Sequence, residues 1–346
     1  MERANKKARL GISMPLGSAA DANELAGYAL SHGCEEIWMS EVNSGDAYAI
    51  AGALAAGNPG VRIGTAVTPA QTRTPLVHAM AAMSLNQLTG GNFILGIGLS
   101  SPNIVKEWAG QPFDKPLARM RDHVLALRGL LSGQKITYEG ETLSVLKARL
   151  GGQLIGEVPI YLGALNERML EMTGELCDGV TLNMVPEDAL PKVLGAVRAG
   201  AEKAGRDPAQ LEVVSRLHVI LTEDIDSGRD MGRAIFGAYA ATPGYNRFFR
   251  WIGFEEEGAQ IIDRYAAKDR AGVAKAVTPA LCDAMVIAGD AETIVRRVRA
   301  YAEGGIDVCV INPIGDADTV RRVVDLVSGC LDDLDTANSG VIRATS

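Results

Sequence analysis

The chain has 346 residues, 47% of them hydrophobic and 22% charged, which is ordinary for a globular protein with a full core and argues against a disordered chain. A net charge of −8 without a basic cluster argues against nucleic acid as a partner, because phosphate neutralisation dominates such binding, and leaves a small molecule as the expected ligand. Five scattered cysteines (Cys34, Cys177, Cys282, Cys309, Cys330) contain no Cys-x-x-Cys pair, which argues against a disulfide framework and a zinc site, so no metal is expected.

No apolar segment follows the basic start from Met1 to Arg9, and the apolar runs are strand-sized. Neither a signal peptide nor a membrane span is expected, and the chain is placed in the cytoplasm. The first strand is Ala8 to Pro15, followed by a helix with Leu25, Tyr28 and Ala29 inward that closes at Gly33 as a C-terminal cap glycine. Glu35 to Glu41 is the second strand and Asp46 to Ala56 the second helix. The stretch from Arg62 to Pro102 is one βαβ unit: an apolar run from Ile63 to Val67, a Thr74-Pro75 helix start, a Gly90-Gly91 stop and a second run from Phe93 to Leu99. Both runs are apolar on successive residues, as in strands of a parallel sheet covered on both faces.

Ser101 to Glu157 is an excursion with helical spacing at Leu117, Met120, Val124, Leu127 and Leu131 and a β-like piece at Ile136 to Tyr138. Val158 to Ala164 is strand five, Asn166 can cap a helix running through Leu176, Gly179 to Val185 is strand six, Pro186 to Gly205 is helical, and Glu212 to Leu221 is strand seven. Thr222 to Asp290 reads as mostly helical, interrupted by Pro243, Gly244 and the aromatics Tyr245, Phe248, Phe249, Trp251 and Phe254, either as a packed insertion or as a lid. Asp290 caps a helix with Ile294, Val298 and Tyr301 inward, Gly304 and Gly305 end it, Asp307 to Pro313 is strand eight, and Ala317 to Leu334 is a closing helix. Eight strands alternating with helices predict an α/β fold, a (β/α)₈ TIM barrel with insertions after strand four and between strands seven and eight. A doubly wound open sheet is the alternative, but it uses eight strands less regularly. Residues 1–335 read as one domain and 336–346 as a polar C-terminal tail.

In such a barrel the site is built at the C-terminal strand ends, here Met14, Glu41 to Asn43, Ala66 to Thr68, Leu99 to Ser101, Gly163 to Asn166, Asn183, Arg216 or His218, and Asn312. That set holds no Ser/His/Asp group, no His-x-x-x-His, no Cys/His pair and no phosphate-binding Gly-x-x-x-x-Gly-Lys loop. Chemistry would have to come from a cofactor, for which the protein supplies binding, orientation and exclusion of water. Gly96-Ile-Gly-Leu-Ser-Ser is only half of a dinucleotide fingerprint, and its glycines fit close backbone approach to a flat ligand or plain barrel packing. Gly163-Ala-Leu-Asn166 fits either phosphate binding by free N–H groups or a simple turn with an Asn cap. His32, His78 and His123 fall on helices as surface or packing residues, while His218 lies on a strand.

Ile37-Trp-Met-Ser-Glu41, Ile63-Gly-Thr-Ala-Val-Thr-Pro69, Thr72-Arg-Thr-Pro75, Gly90-Gly-Asn-Phe-Ile-Leu-Gly-Ile-Gly98, Pro159-Ile-Tyr-Leu-Gly-Ala164 and Cys177-Asp-Gly-Val-Thr-Leu-Asn183 form an ordered set. As a set they resemble the luciferase-like monooxygenase superfamily and, within it, the deazaflavin (coenzyme F420)-dependent oxidoreductases akin to methylene-tetrahydromethanopterin reductase. The resemblance implies a (β/α)₈ barrel, a homo-oligomer such as a dimer, and hydride transfer between F420 and a small organic substrate, with FMN-dependent monooxygenation or flavin binding without turnover as alternatives. It implies that the ring rests at the end of strand three, on a non-proline cis peptide at Ala66-Val67. Cofactor contacts are expected from Met14, Ala66, Val67, Thr68, Leu99, Ser100, Gly163, Ala164 and Asn183, and catalysis from Glu41, Asn43 and Ser101. Relatives that oxidise sugar phosphates or alcohols place a histidine after the acidic residue of strand two, where this chain has Val42, so Glu41, walled by Trp38 and Met39, is expected to carry the proton in its place.

Overall fold

The computed structural model describes residues 7–334. The expected polar tail, 336–346, lies outside the described residues. Strands β1 (Arg9–Met14), β2 (Glu36–Met39), β3 (Arg62–Thr65), β4 (Thr68–Pro69), β5 (Phe93–Gly98), β6 (Ile136–Glu139), β7 (Ser144–Ala148), β8 (Ile160–Gly163), β9 (Gly179–Asn183), β10 (Glu212–Leu221), β11 (Ile287–Gly289) and β12 (Val308–Pro313) follow in chain order. Eight of them pair in parallel around a closed ring, β1-β2-β3-β5-β8-β9-β10-β12 and back to β1, which is the expected barrel.

Helices α1 (Ala19–Ser31), α2 (Ala47–Gly57), α3 (Pro75–Leu88), α4 (Pro116–Leu131), α5 (Glu167–Leu176), α6 (Leu190–Lys203), α12 (Ala291–Glu303) and α13 (Ala317–Val327) cover the ring, and α7 (Ile225–Ala240), α8 (Pro243–Trp251), α9 (Glu255–Ala266), α10 (Arg270–Ala276) and α11 (Pro279–Met285) form the late insertion. Their starts follow local chemistry. Ser18 Oγ accepts from Asp21 N (3.2 Å), Thr74 Oγ1 from Val77 N (3.3 Å) ahead of Pro75, and Asp290 Oδ1 from Thr293 N (2.9 Å), each satisfying a helix N–H that has no partner within the helix. Among the described residues no helix is long and apolar enough to cross a membrane.

Several boundaries differ from expectation. The β-like piece at Ile136 has an antiparallel partner, β7, whose largely exposed side chains give it no apolar run to read. Three-residue β11, inside the stretch read as helical, adds to the side of β10. The last helix ends at Val327, well before Leu334, where Ser328 leaves the helical region.

The sheet separates two apolar regions. One, between strands and helices, takes Ile12, Met14, Ile37, Met39, Leu95 and Ile97. The other fills the barrel with Trp38, Ile94, Tyr161, Val214, Val308 and Val310. The indole of Trp38 fits there because position 64 has no side chain: a Cβ on Gly64 would lie 2.3 Å from its ring. The N-terminal end of the barrel is closed by ions. Arg9 meets Glu36 (2.7 Å) and Glu212 (2.5 Å), Arg62 meets Glu36 (2.6 Å) and Glu212, Tyr161 donates to Glu212, and Trp38 Nε1 donates to Glu36 (2.9 Å). Burial works against the Glu212 carboxylate, but the hydrogen bond and charge of Arg62, with Arg9 behind them, outweigh it and hold its pKa far below the usual range. The opposite end of the barrel is left for binding.

Candidate active site at the C-terminal mouth of the barrel

The bond between Ala66 and Val67, just past β3, is cis, as expected. Ala66 N donates to Met39 O (2.6 Å) and Glu41 N to Val67 O (3.1 Å), which ties the ends of β2 and β3 together. The Val67 side chain lies over two glycines: a Cβ on Gly98 would be 2.5 Å from Val67 Cγ2, and one on Gly163 would be 3.0 Å from Val67 Cγ1. These glycines therefore let Val67 lie flat across the ends of β5 and β8, and the floor there is poor in side chains. Beneath it Thr65 Oγ1 donates to Gly96 O (2.7 Å), and fully buried Thr68 meets Gly96 O (3.2 Å) and the Tyr48 hydroxyl (3.0 Å). The Ala70 carbonyl can only accept, so His78 carries its proton on Nε2 (3.2 Å) and takes the Tyr48 O–H on Nδ1 (2.5 Å). Burial pushes the His78 pKa down to about 3, so His78 is a neutral packing residue, as expected.

Glu41 is enclosed differently from expectation. Trp38 turns into the barrel, away from the α2 side on which Glu41 is held, and Met39 turns toward the helices. Arg73 instead pairs with both carboxylate oxygens (2.7 and 2.8 Å) and Ala47 N donates to one of them (2.9 Å) at the start of α2. A carboxylate held in this way secures the β2 end to α2 and to the segment after β4. Asn43 is exposed, Ser100 is exposed with a left-handed φ of 61°, and Ser101 Oγ accepts from Ile104 N (3.4 Å) at the head of the Asn103–Trp108 π-helix.

Two further expected residues are placed away from the lumen or already occupied. Met14 is buried in the region shared with the helices, and Ser13 is the β1 residue that meets the lumen side chain Arg216. Ala164 N donates to Thr181 O (3.4 Å), so its N–H is not free for a phosphate. Asn166 does not cap α5 with its side chain. Its Nδ2 donates across to Gly244 O (3.4 Å), joining the barrel to the late insertion. Leu99 is partly buried against the core.

On the far side of the mouth, β1, β9, β10 and β12 contribute one connected polar chain. Arg216 can only donate, through Nε to Ser13 Oγ (3.2 Å) and through NH2 to Asn312 Oδ1 (2.7 Å). Asn312 therefore presents Nδ2 to His218 Nδ1 (2.9 Å), and His218 keeps its proton on Nε2, which donates to Asn183 Oδ1 (2.9 Å). Asn183 in turn donates through Nδ2 to the Tyr245 hydroxyl oxygen (2.6 Å). Burial, with the charge of Arg216 nearby, holds the His218 pKa well below its ordinary value, and burial pushes the Tyr245 phenol up to about 12. Tyr245 thus keeps its proton, and no acceptor takes it among the described residues.

The late insertion is packed through buried Phe248 and Phe249, and it also reaches the mouth through Tyr245, so the two sequence alternatives meet in one element. Tyr245 lies 62 residues from Asn183 in the chain, and the aromatic run that contains it marked the insertion but not this contact. Arg73 lay inside the Thr72 to Pro75 stretch, but its partner was not readable there.

One polar group near Val67 has no partner among the described residues: Thr181 Oγ1, which would lie 3.5 Å from a Cβ on Gly163. A floor poor in side chains with an unused hydroxyl beside it suits a flat ring with polar edges. A separate cavity of about 790 Å³ lies at the other end of β8, where Arg128 is already paired with Asp178 (2.8 Å), and it plays no part in this site.

The sequence pattern of the family described as luciferase-like monooxygenase matches residues 6–308. A 5,10-methylenetetrahydromethanopterin reductase of Methanolobus tindarius is 28% identical over 291 residues, covering 83% of this chain and 88% of its own. A Mycobacterium tuberculosis protein named as a coenzyme F420-dependent oxidoreductase is 27% identical over 336 residues, covering 88% and 93%. In fold, the chain superposes on the coenzyme F420-dependent tetrahydromethanopterin reductase of Methanopyrus kandleri with a TM-score of 0.78 at 21% identity, over 93% of this chain and 97% of that one.

Proposed function

We propose, for a chain that belongs to the luciferase-like monooxygenase family, that it is an oxidoreductase which binds coenzyme F420 in the barrel mouth and exchanges a hydride with a small organic substrate. The observation that carries this reading is the side-chain-poor floor made by Val67 over Gly98 and Gly163, edged by the unpartnered Thr181 hydroxyl. Relatives named for F420 dependence, matched over most of their length, support the choice of cofactor.

When bound, the deazaflavin supplies the ring carbon that carries the hydride. The chain's own residues do the rest. Val67 and the two glycines set the plane of the ring, and Thr181 supplies a hydrogen bond at its edge. Glu41 is a positioning residue that holds the β2 end through Arg73. As the substrate takes a hydride at carbon, the neighbouring atom takes a proton from Tyr245 Oη, and the Asn183 N–H already bonded to that oxygen stabilises the phenolate left behind. The reading includes a homo-oligomer, supported by exposed Leu76, Val77, Met80 and Leu88 along α3, and sedimentation at micromolar concentration tests it.

The function is tested by anaerobic incubation with reduced F420 and a panel of carbonyl and activated-alkene compounds, following recovery of the oxidised deazaflavin absorbance. We expect at least one class to oxidise the cofactor. Tyr245→Phe should lower single-turnover transfer by about 10²-fold while changing F420 affinity by less than about threefold. Turnover only with reduced FMN and oxygen would overturn the reading in favour of a monooxygenase.

A further inference from the structure

The inward-turned arginines of this chain meet carboxylates. Arg9 and Arg62 share Glu36 and Glu212 at the closed end of the barrel, Arg73 holds Glu41, and Arg297 holds Glu187 with two bonds of 2.7 Å. Arg216 does not follow them. It lies on the lumen face of β10, two residues beyond Val214 and two before His218, and its bonds to Ser13 and Asn312 go to neutral oxygens. No carboxylate pairs with it among the described residues.

These two bonds use only part of the guanidinium's planar set of donors. Burial pushes the Arg216 pKa down from the ordinary arginine value, opposed by the Tyr239 and Tyr245 phenols and by no carboxylate among the described residues. A cation taken out of water without a counter-ion is costly, and that cost is recovered when an anion enters. Arg216 is partly exposed, and because its side chain turns inward, that exposure opens to the barrel mouth. The planar N–H fork matches the paired oxygens of a carboxylate.

We propose that Arg216 is an anion-recognition residue in the mouth, and that the substrate carries a carboxylate-class anion which completes its ion pair. The substrate half of this statement rests on the F420-dependent reading above, whereas the anion site itself does not. An anionic group of the cofactor is the other source of the same chemistry, and the experiment separates the two.

The full chain and its Arg216→Gln and Arg216→Lys variants are titrated at constant ionic strength with acetate and benzoate and with the neutral acetamide and benzamide, followed by thermal unfolding and calorimetry. F420 affinity is measured for each protein in parallel. In the wild type the carboxylates should raise the unfolding midpoint and the amides should not. Arg216→Gln should weaken carboxylate binding by about 10- to 100-fold, the loss expected for hydrogen bonds to a charged group. Without anion it should melt no lower than wild type, because it removes a lone cation. Its F420 affinity should stay within about threefold of wild type. Arg216→Lys, which keeps the charge and loses the fork, should still prefer carboxylate to amide, and it carries the test if the glutamine variant fails to fold. Equal response to acids and amides, or an undiminished carboxylate response in Arg216→Gln, would overturn the proposal. Loss of F420 binding together with carboxylate binding would also overturn it, by assigning the anion to the cofactor. Absence of F420 binding by the wild type would sink the cofactor reading and leave the anion site standing on the carboxylate data.

Discussion

Asn312 donates to Nδ1 of His218 at 2.9 Å, and the direction of that bond is fixed by Arg216, which holds the amide oxygen on the other side. The imidazole is therefore locked as the neutral Nε2–H form, with both nitrogens used. The low pKa of His218 means that it gains no proton as pH falls through the ordinary histidine range. Nitrogen NMR should find the rings of His78 and His218 in the Nε2–H tautomer from about pH 8 to pH 5, and the His218 signal should disappear in His218→Gln. A His218 signal titrating near the ordinary value would contradict the chain of bonds. So would activity that depends on protonation of that ring.

Glu41 has both oxygens engaged by Arg73, with each side chain mostly buried, 11% and 16% exposed. Glu41→Gln keeps the size but loses the charge, so it should destabilise the fold by about 1 to 2 kcal/mol. Single-turnover hydride transfer by cofactor-saturated protein should change by less than about tenfold. Urea unfolding and rapid mixing measure the two. A rate loss near 10²-fold with unchanged stability would restore Glu41 to the proton-carrying role expected from sequence.

The buried ion cluster at the closed end makes stability pH-dependent. Glu212 has a folded pKa below its ordinary 4.5, so its contribution is fully present above that value and is lost as pH falls toward the folded pKa, where the folded carboxylate too is protonated. Wild-type stability should therefore decline progressively below about pH 4.5. Glu212→Gln should lose on the order of 3 kcal/mol at neutral pH, because Arg9 and Arg62 lose a buried partner, and should show a flatter decline in acid. Equal acid slopes in the two proteins, measured by denaturant titration, would show that the cluster does not control acid stability.

Strand identity was legible because runs such as Phe93 to Gly98 are buried on both faces, but the same feature hid which residues face inward. With apolar groups on both sides, nothing in the first strand distinguishes Met14, which faces the helices, from Ser13, which meets the lumen. On β10 the question of Arg216 or His218 had no single answer, since the two are two apart and share a face. Gly98 and Gly163 were readable as positions of close approach, but their partner, the Val67 side chain, comes from the link between β3 and β4. Tyr245 and Arg73 act through partners distant in sequence, which a single chain does not reveal. β11 is too short to carry a pattern, and β7 too exposed.

The most direct measurement is the equilibrium affinity of the chain for F420 and for FMN, in wild type and in Gly163→Leu. The added side chain must displace Val67, since even its Cβ would lie 3.0 Å from Cγ1. The account predicts that wild type prefers F420 by at least about tenfold, and that Gly163→Leu weakens F420 by more than about tenfold while the protein stays folded. Preference for FMN, or unchanged F420 affinity in a folded Gly163→Leu variant, would contradict the placing of F420 on the Val67 floor.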